Sequence, residues 1–552
     1  MEKLKPKLFS VMKHYSKKQF VNDVISGIIV AIIALPLSIA LALASGVGPK
    51  EGIFTAITAG FVISFLGGSR VQIAGPTAAF ATIVAGIVAK KGMQGLVVAT
   101  IMAGILLMIM GFIRMGSLIN YIPATITSGF TMGIAITIFL GQIKDFLGLT
   151  FEKSPIETME KVVEIGKSIG TFSLQAFIIG MIALAILVFW PKKLQIIPPS
   201  LVAVIVTAAM VKLMDLQVNT IGDLYTVTSE LPSFHLPTAT FGDIVGLFPD
   251  ALTIAVLAAI ESLLSCVVSD GMIGSRHRSN MELIAQGAGN IVSALFGGIP
   301  ATGALARTAA NVKNGGRTPI AGMVHAVTLL LIVLVMMPYA ALIPMPAIAA
   351  ILFIVAYNMS GWRTVAHQIK TSPKSDTIVL VTTLVLTVVF DIVVAIAVGF
   401  VLASLLFMKR MAEVTDVNGW VYPEAMNEEA NDENIFYKKV PSNTRVFEIN
   451  GPMFFASSDK FTNIIEDTSE DFLIIRMRSV PAIDATGVQT LEKILDVCKK
   501  YKVTVIFSHV NEQPMSIMKK AGFVEMVGAD NFCEHIDSAL ARAVELGNAA
   551  KA

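Results

Sequence analysis

Apolar residues in this chain come in long runs, neither alternating nor recurring every third or fourth position. Runs near 24–45, 93–113, 122–140, 172–190, 248–268, 319–338 and 391–408 approach the about 20 apolar residues that a helix needs to cross a bilayer. Shorter or glycine-interrupted pieces lie between them at 52–67, 76–88, 199–213, 282–297, 303–312, 345–358 and 378–390. Together they predict about fourteen membrane segments, an even number that leaves both termini on one side. The pattern changes after Arg410. Residues 411–442 are polar and unpatterned, with Glu424, Glu428, Glu429, Asp432 and Glu433, and read as a linker. Short β-type runs follow at 445–449, 472–477 and 503–507. Helical patterns at 459–466, 487–500 and 514–521, and from Asp537 onward, alternate with them, which predicts a small α/β domain over 443–552.

Composition agrees with that division. The chain has 552 residues, of which 54% are hydrophobic and only 15% charged. Residues 1–410 hold 28 Lys/Arg against 18 Asp/Glu, whereas 411–552 hold 14 against 22. The net +2 therefore conceals a basic membrane part and an acidic tail. An acidic tail argues against nucleic acid as a partner. Three cysteines (Cys266, Cys498, Cys533) give no disulfide framework, and the seven histidines have no metal-ligand spacing. Positive charges before the first span, and at Arg114, Lys192–Lys193, Arg276–Arg278, Lys313–Arg317, Arg363–Lys374 and Lys409–Arg410, fall where alternate loops would be cytoplasmic. Lys90–Lys91 and the mixed-charge loop 144–167 depart from that pattern. The balance predicts an inner-membrane protein with cytoplasmic N- and C-termini, residues 1–22 forming a cytoplasmic N-terminal segment.

A weak repeat relates the halves, about 23–213 and 248–408. Gly67-Gly68 precedes Gly75-Pro76-Thr77-Ala78, a long span and Ile122-Pro123. Gly297-Gly298 precedes Gly303-Ala304, a long span and Ile343-Pro344. Corresponding Gly/Pro-interrupted segments in two halves point to a transporter's binding site. A helix that starts at mid-membrane offers free N–H groups and a positive dipole end to an anion. The starts at Gly75-Pro76-Thr77-Ala78 and at Gly303-Ala304 are thus the candidate anion site.

Intramembrane ionisable groups are expensive and mark function. Glu261 lies deep in an apolar run, with Ser265 one turn later on the same face. That carboxylate suits a proton carrier, or a sodium ligand together with a hydroxyl; the alternative is a structural tie between helices. Arg307, in the second short helix, reads as an attractor of anions or a partner for Glu261, or as a structural cation satisfying carbonyls. Asp391 reads as structural. Ile165-Gly166-Lys167-Ser168 has the end of a phosphate-binding loop, but Lys161 occupies the position of its first glycine. No nucleophile–base pattern appears, so the chain is not read as an enzyme and needs no cofactor beyond a coupling ion, H+ or alternatively Na+.

With these residues in view, the chain resembles the sulfate permease (SulP) family of anion transporters. The matching stretches are Asp23–Ala44, Gly67–Ala79, Arg276–Asn290 and Gly297–Thr318, and the tail resembles a STAS domain with Ile483-Asp484-Ala485-Thr486-Gly487 as its signature loop. The resemblance implies a seven-plus-seven inverted repeat of uracil-permease type, with a core domain moving against a gate domain, and a homodimer. Within the family the chain is most similar to bacterial members that take up the C4-dicarboxylates succinate, fumarate and aspartate. By matching position, Glu261 and Ser265 fall where a sodium-coupled relative has an aspartate and a threonine as sodium ligands. Leu37 falls where animal members have a glutamine near the anion. Thr486 lies in or beside the position phosphorylated in soluble STAS proteins, the alternative being a helix N-cap. Acyl carrier protein or another regulatory protein is an implied partner of that domain. The expectation is proton-coupled dicarboxylate symport by alternating access. The rivals are sodium-coupled bicarbonate or sulfate transport, an uncoupled anion channel and a membrane-anchored signalling module.

Overall fold

The computed structural model describes residues 4–153, 155, 157–191, 197–226, 230–390, 392–420, 440–461 and 470–549. It divides into two compact units, 1–400 and 401–552.

The first unit is helical. Its principal elements are α1 (Lys17–Ala44), α2 (Pro49–Leu66), β1 (Ala74–Gly75), α3 (Ala81–Phe112), α4 (Ala124–Leu147), α5 (Leu174–Phe189), α6 (Pro199–Leu213), α7 (Phe241–Ile273), α8 (Ser279–Leu295), β2 (Thr302–Gly303), α9 (Leu305–Lys313), α10 (Pro319–Ala340), α11 (Met345–Ser360), α12 (Lys374–Val389) and α13 (Ile392–Val414). Among the described residues six helices are long and apolar enough to cross a membrane. A bent pair, Thr158–Thr171 with Leu174–Phe189 at 117°, is a seventh candidate. The segments expected at 76–88 and 93–113 meet at Gly92, where a φ of 68° breaks the run. Asp391 lies outside the described residues.

Caps set the helix starts. Ser16 accepts from the Gln19 amide at the start of α1, and Thr240 with Asp243 forms a reciprocal box at the start of α7. Buried Asp23 of α1 accepts from the Arg317 amide, the Thr318 hydroxyl and the Tyr15 hydroxyl, which joins α1 to the entry of α10. In an apolar solvent helices associate through close packing of small residues. The α3–α8 pair does so: a Cβ on Gly104 would lie 2.7 Å from the Gly287 carbonyl oxygen, and one on Gly287 2.4 Å from that of Gly104. Gly111 approaches the Asn280 carbonyl in the same way.

The second unit is a five-stranded sheet in the order β3-β4-β5-β6-β7, with β3 (Asp416–Trp420) antiparallel to β4 (Thr444–Asn450) and the rest parallel: β5 (Phe472–Ser479), β6 (Thr504–Ser508) and β7 (Phe532–Cys533). Its principal helices are α14 (Ala485–Lys500), α15 (Glu512–Lys520) and α16 (Ile536–Ala549). One face buries Phe447, Ile475 and Phe507 with Val488 and Leu491 of α14; the other buries Val446, Ile474 and Ile506 with Ala539 and Leu540 of α16. The expected linker 411–442 is corrected by this arrangement. Helix α13 runs to Val414, and 416–420 is an edge strand; its alternation is masked by Asp416, Asn418 and Gly419, because an edge strand needs little apolar surface. Residues 421–439 lie outside the described residues.

Candidate functional site

The two halves of the first unit meet backbone to backbone. β1 and β2 pair antiparallel, Ala74 opposite Gly303 and Gly75 opposite Thr302. The chain then leaves each strand into a helix start. Thr77 is the extended residue before the 3-10 turn Ala78–Phe80 that leads into α3, and Ala304 is the extended residue before α9. The first N–H groups of a helix have no partner within it, so the two starts supply donors on either side of the crossing. Gly75 and Gly303 thus belong to the crossing itself, and Thr77-Ala78 and Ala304-Leu305 to the helix starts. Both glycines are demanded by close neighbours. A Cβ on Gly303 would lie 2.0 Å from Nε2 of Gln72, and one on Gly75 2.1 Å from Nη1 of Arg307. Pro76, Ala78 and Ala304 are buried, Thr77 is half-buried and Leu305 is exposed.

Helix α7 passes beside this crossing and brings its polar stretch to it. The Thr77 hydroxyl donates to Oε2 of Glu261 at 2.9 Å. One residue on, Ser262 accepts from the Gly303 amide at 3.0 Å and shares a 2.6 Å hydrogen bond with the Thr302 hydroxyl. α7 therefore touches the first helix start through Glu261 and the β2 strand of the crossing through Ser262. Ser265 is buried, and its Oγ has no hydrogen-bond partner among the described residues.

Arg307 extends from α9 behind the β1 loop. It is 1% exposed, and Nη2 donates to the Pro76 carbonyl at 3.2 Å and to the Ser38 hydroxyl of α1 at 3.3 Å. Among the described residues it forms no ion pair, so of the three alternatives the partnership with Glu261 is not formed: α9 directs the guanidinium at the Pro76 carbonyl, whereas Glu261 is engaged by Thr77. Arg307 braces the first helix start from the rear, and its Nε and Nη1 remain unpartnered. Leu37, next to Ser38 on α1, is half-buried.

The crossing is carried by a polar scaffold that sequence reading missed. Buried Glu282 of α8 accepts from the Gly68 and Ser69 amides at 2.8 and 3.0 Å and from Nε2 of Gln72 and of Gln286, both at 2.9 Å. Gln72 in turn accepts from the Cys266 thiol. Asn290 brackets Ala301, accepting from its amide and donating to its carbonyl. Asn311 donates to the Val71 carbonyl and accepts from Ser26. The one available signal was a density of Gln, Asn and Glu at 280–290, too high for a lipid-facing helix.

In the second unit, the expectation of a Thr486 cap is corrected. Asp484 caps α14, its side chain accepting from the Gly487 amide, and Thr486 is a half-buried residue inside the first turn. An aspartate two residues earlier is as good a cap and is in register for it.

Comparisons with known proteins agree with this architecture. The family model described as "Sulfate permease family" matches residues 20–383, and that of the STAS domain residues 436–539. YvdB of Bacillus subtilis is 37% identical over 530 residues, covering 95% of this chain and 98% of that protein. The bicarbonate transporter BicA of a Picosynechococcus species is 28% identical, covering 86% of each. Among solved structures, the murine Slc26a9 anion transporter in its inward-facing state superposes with a TM-score of 0.87 at 17% identity, covering 98% of this chain and 94% of that one.

Proposed function

The chain belongs to the sulfate permease family, with a C-terminal STAS domain, and from that premise we propose that it is a secondary active symporter that takes up C4-dicarboxylates with protons. The carrying observation is the hydrogen bond from Thr77 to Glu261. It links a carboxylate that can exchange a proton to the helix start that would hold an anion. Substrate carboxylate is bound by N–H groups at Thr77-Ala78 and at Leu305, across the Gly75 and Gly303 crossing, with Pro76 in the first loop; the Ala304 amide is already committed to the Ile73 carbonyl at 2.9 Å. Arg307 adds positive potential from behind. Glu261 carries the coupling proton, so that anion affinity depends on its state. Alternating access follows as the part bearing the crossing rocks against the remainder. The working protein is a homodimer of the inner membrane with both termini cytoplasmic.

A second reading is supported by the buried, unpartnered Ser265 hydroxyl one turn from Glu261, and by the similarity to BicA. In that reading the two residues ligate sodium and the anion is bicarbonate or sulfate. Labelled succinate uptake into proteoliposomes under an acid-outside gradient, against a sodium gradient at equal pH, separates the two. Uptake driven by acid alone supports the first reading, and uptake driven by sodium alone supports the sodium site of the second with succinate kept as the anion. Absence of succinate uptake under either gradient removes dicarboxylate as the substrate.

A further inference from the structure

A second cluster of unused polar groups lies in the STAS domain, at the C-terminal edge of its parallel strands. The register sets Glu448, Arg476, Ser508 and Cys533 side by side across β4, β5, β6 and β7. Residues two apart along a strand share a face, so this row follows Val446, Ile474 and Ile506 on the side covered by α16. The apolar core ends there and a polar rim begins.

Two donors on that rim are buried and unused. Arg476 is 9% exposed; its Nη1 donates to both oxygens of Glu448, at 3.1 and 3.2 Å, but its Nε has no partner among the described residues. Ser508, its neighbour on β6, is fully buried and its Oγ has no partner among the described residues. A structural ion pair accounts for Glu448 and one edge of the guanidinium, and it leaves these two atoms unexplained. Buried donors in folded proteins find acceptors.

Arg478 and two histidines surround them. Arg478 follows Arg476 on the same face. His509, held at a φ of 57°, turns the chain out of β6 while its amide donates to the Cys533 carbonyl at 2.9 Å. Its ring lies 5.6 Å from that of His535, the residue before α16. Burial, then the charges of Arg478, His535 and Arg476, hold the His509 imidazole below its ordinary range. The N-terminal end of α16 adds positive potential, and Asp537 in its first turn opposes it.

We propose that Arg476, Arg478, Ser508, His509 and His535 form a binding site for a tetrahedral oxyanion, a phosphate group, at the C-terminal edge of the STAS sheet. A guanidinium edge, a hydroxyl and two imidazoles are complementary to an anion with several acceptor oxygens. The outer ends of parallel strands are also where open α/β sheets bind ligands. The site is separate from the transport site and lies on the sheet face opposite α14, which carries Thr486.

The test uses full-length protein in detergent, with hydrogen exchange followed by mass spectrometry during titration with inorganic phosphate, and with a nucleoside monophosphate in a parallel arm. The expected result is slowed exchange in peptides spanning 505–512 and 532–540, in one arm or both. Protection by phosphate alone assigns the site to the free ion, and protection by the nucleotide alone to a phosphate ester. Ser508→Ala, which removes only a hydroxyl, and His509→Gln each weaken that protection at least tenfold, and Glu261→Gln leaves it unchanged. Protection absent from those peptides in both arms, or unaltered in both rim variants, overturns the proposal.

Discussion

The hydroxyl of Thr77 donates to the carboxylate of Glu261 across 2.9 Å, joining a helix start of the first half to a helix of the second. A hydrogen bond to an ionised group contributes about 1.5–3 kcal/mol. Thr77→Val therefore weakens anion binding roughly ten- to a hundredfold, read as apparent affinity in uptake assays. Glu261→Gln abolishes dependence on the pH gradient while the protein still folds. Uptake by that variant with unchanged dependence on the gradient removes the proton role.

Ser265→Ala separates proton from sodium. Its hydroxyl is buried without a partner, so in proton symport the loss leaves coupling intact. If sodium is the coupling ion, the same change raises the sodium concentration for half-maximal uptake several-fold. Uptake titrated with sodium at constant pH reads the difference.

Gly75→Ala places a methyl group 2.1 Å from Nη1 of Arg307. Either the guanidinium or the β1 loop must move, and the Pro76 carbonyl loses its donor. Transport falls at least tenfold in the membrane-inserted protein. Arg307→Lys retains the charge but not the planar guanidinium that places Nη2 between Ser38 and Pro76, and it gives a similar loss. Transport rates normalised to correctly folded protein check both.

Glu282→Gln turns an amide NH2 toward a site where four donors converge on two oxygens. The cost is on the order of 3 kcal/mol, seen as a lowered thermal unfolding midpoint in detergent. Glu282→Asp, which keeps the charge on a shorter stem, loses less.

His509 gives the STAS domain a signed pH response. Its value is pushed below the ordinary 6.5 by burial first, then by Arg478, His535 and Arg476. Between the ordinary and the lowered value the unfolded chain binds a proton that the folded domain does not, so this residue's contribution to stability declines as pH falls below about 6.5. His509→Gln flattens the slope of the unfolding midpoint as pH falls below about 6.5.

The sequence made the membrane architecture legible because lipid imposes a long period on apolar residues and a high cost on each charge. Glu261 stood out for that reason, and the paired Gly/Pro interruptions marked both helix starts. The direction of Arg307 was not legible, since it depends on α9 packing behind the β1 loop, a contact between residues 231 apart in sequence. Ser262 was passed over for Ser265 because spacing along one helix cannot tell which hydroxyl faces the incoming strand. Strand β3 was hidden by its polar edge residues, and the cap of α14 fell to Asp484 where two capping residues stood close together.

The two-residue pairing of β1 with β2 has a consequence for selectivity. Each half contributes one jaw, yet the jaws are stitched to each other by their own backbones and cannot part when the protein changes state. An arriving anion thus meets a calliper of preset width, the same from either side of the membrane. Discrimination among anions then rests on their length and charge spacing against that width, and opening or closing the access path governs only when the measurement is made.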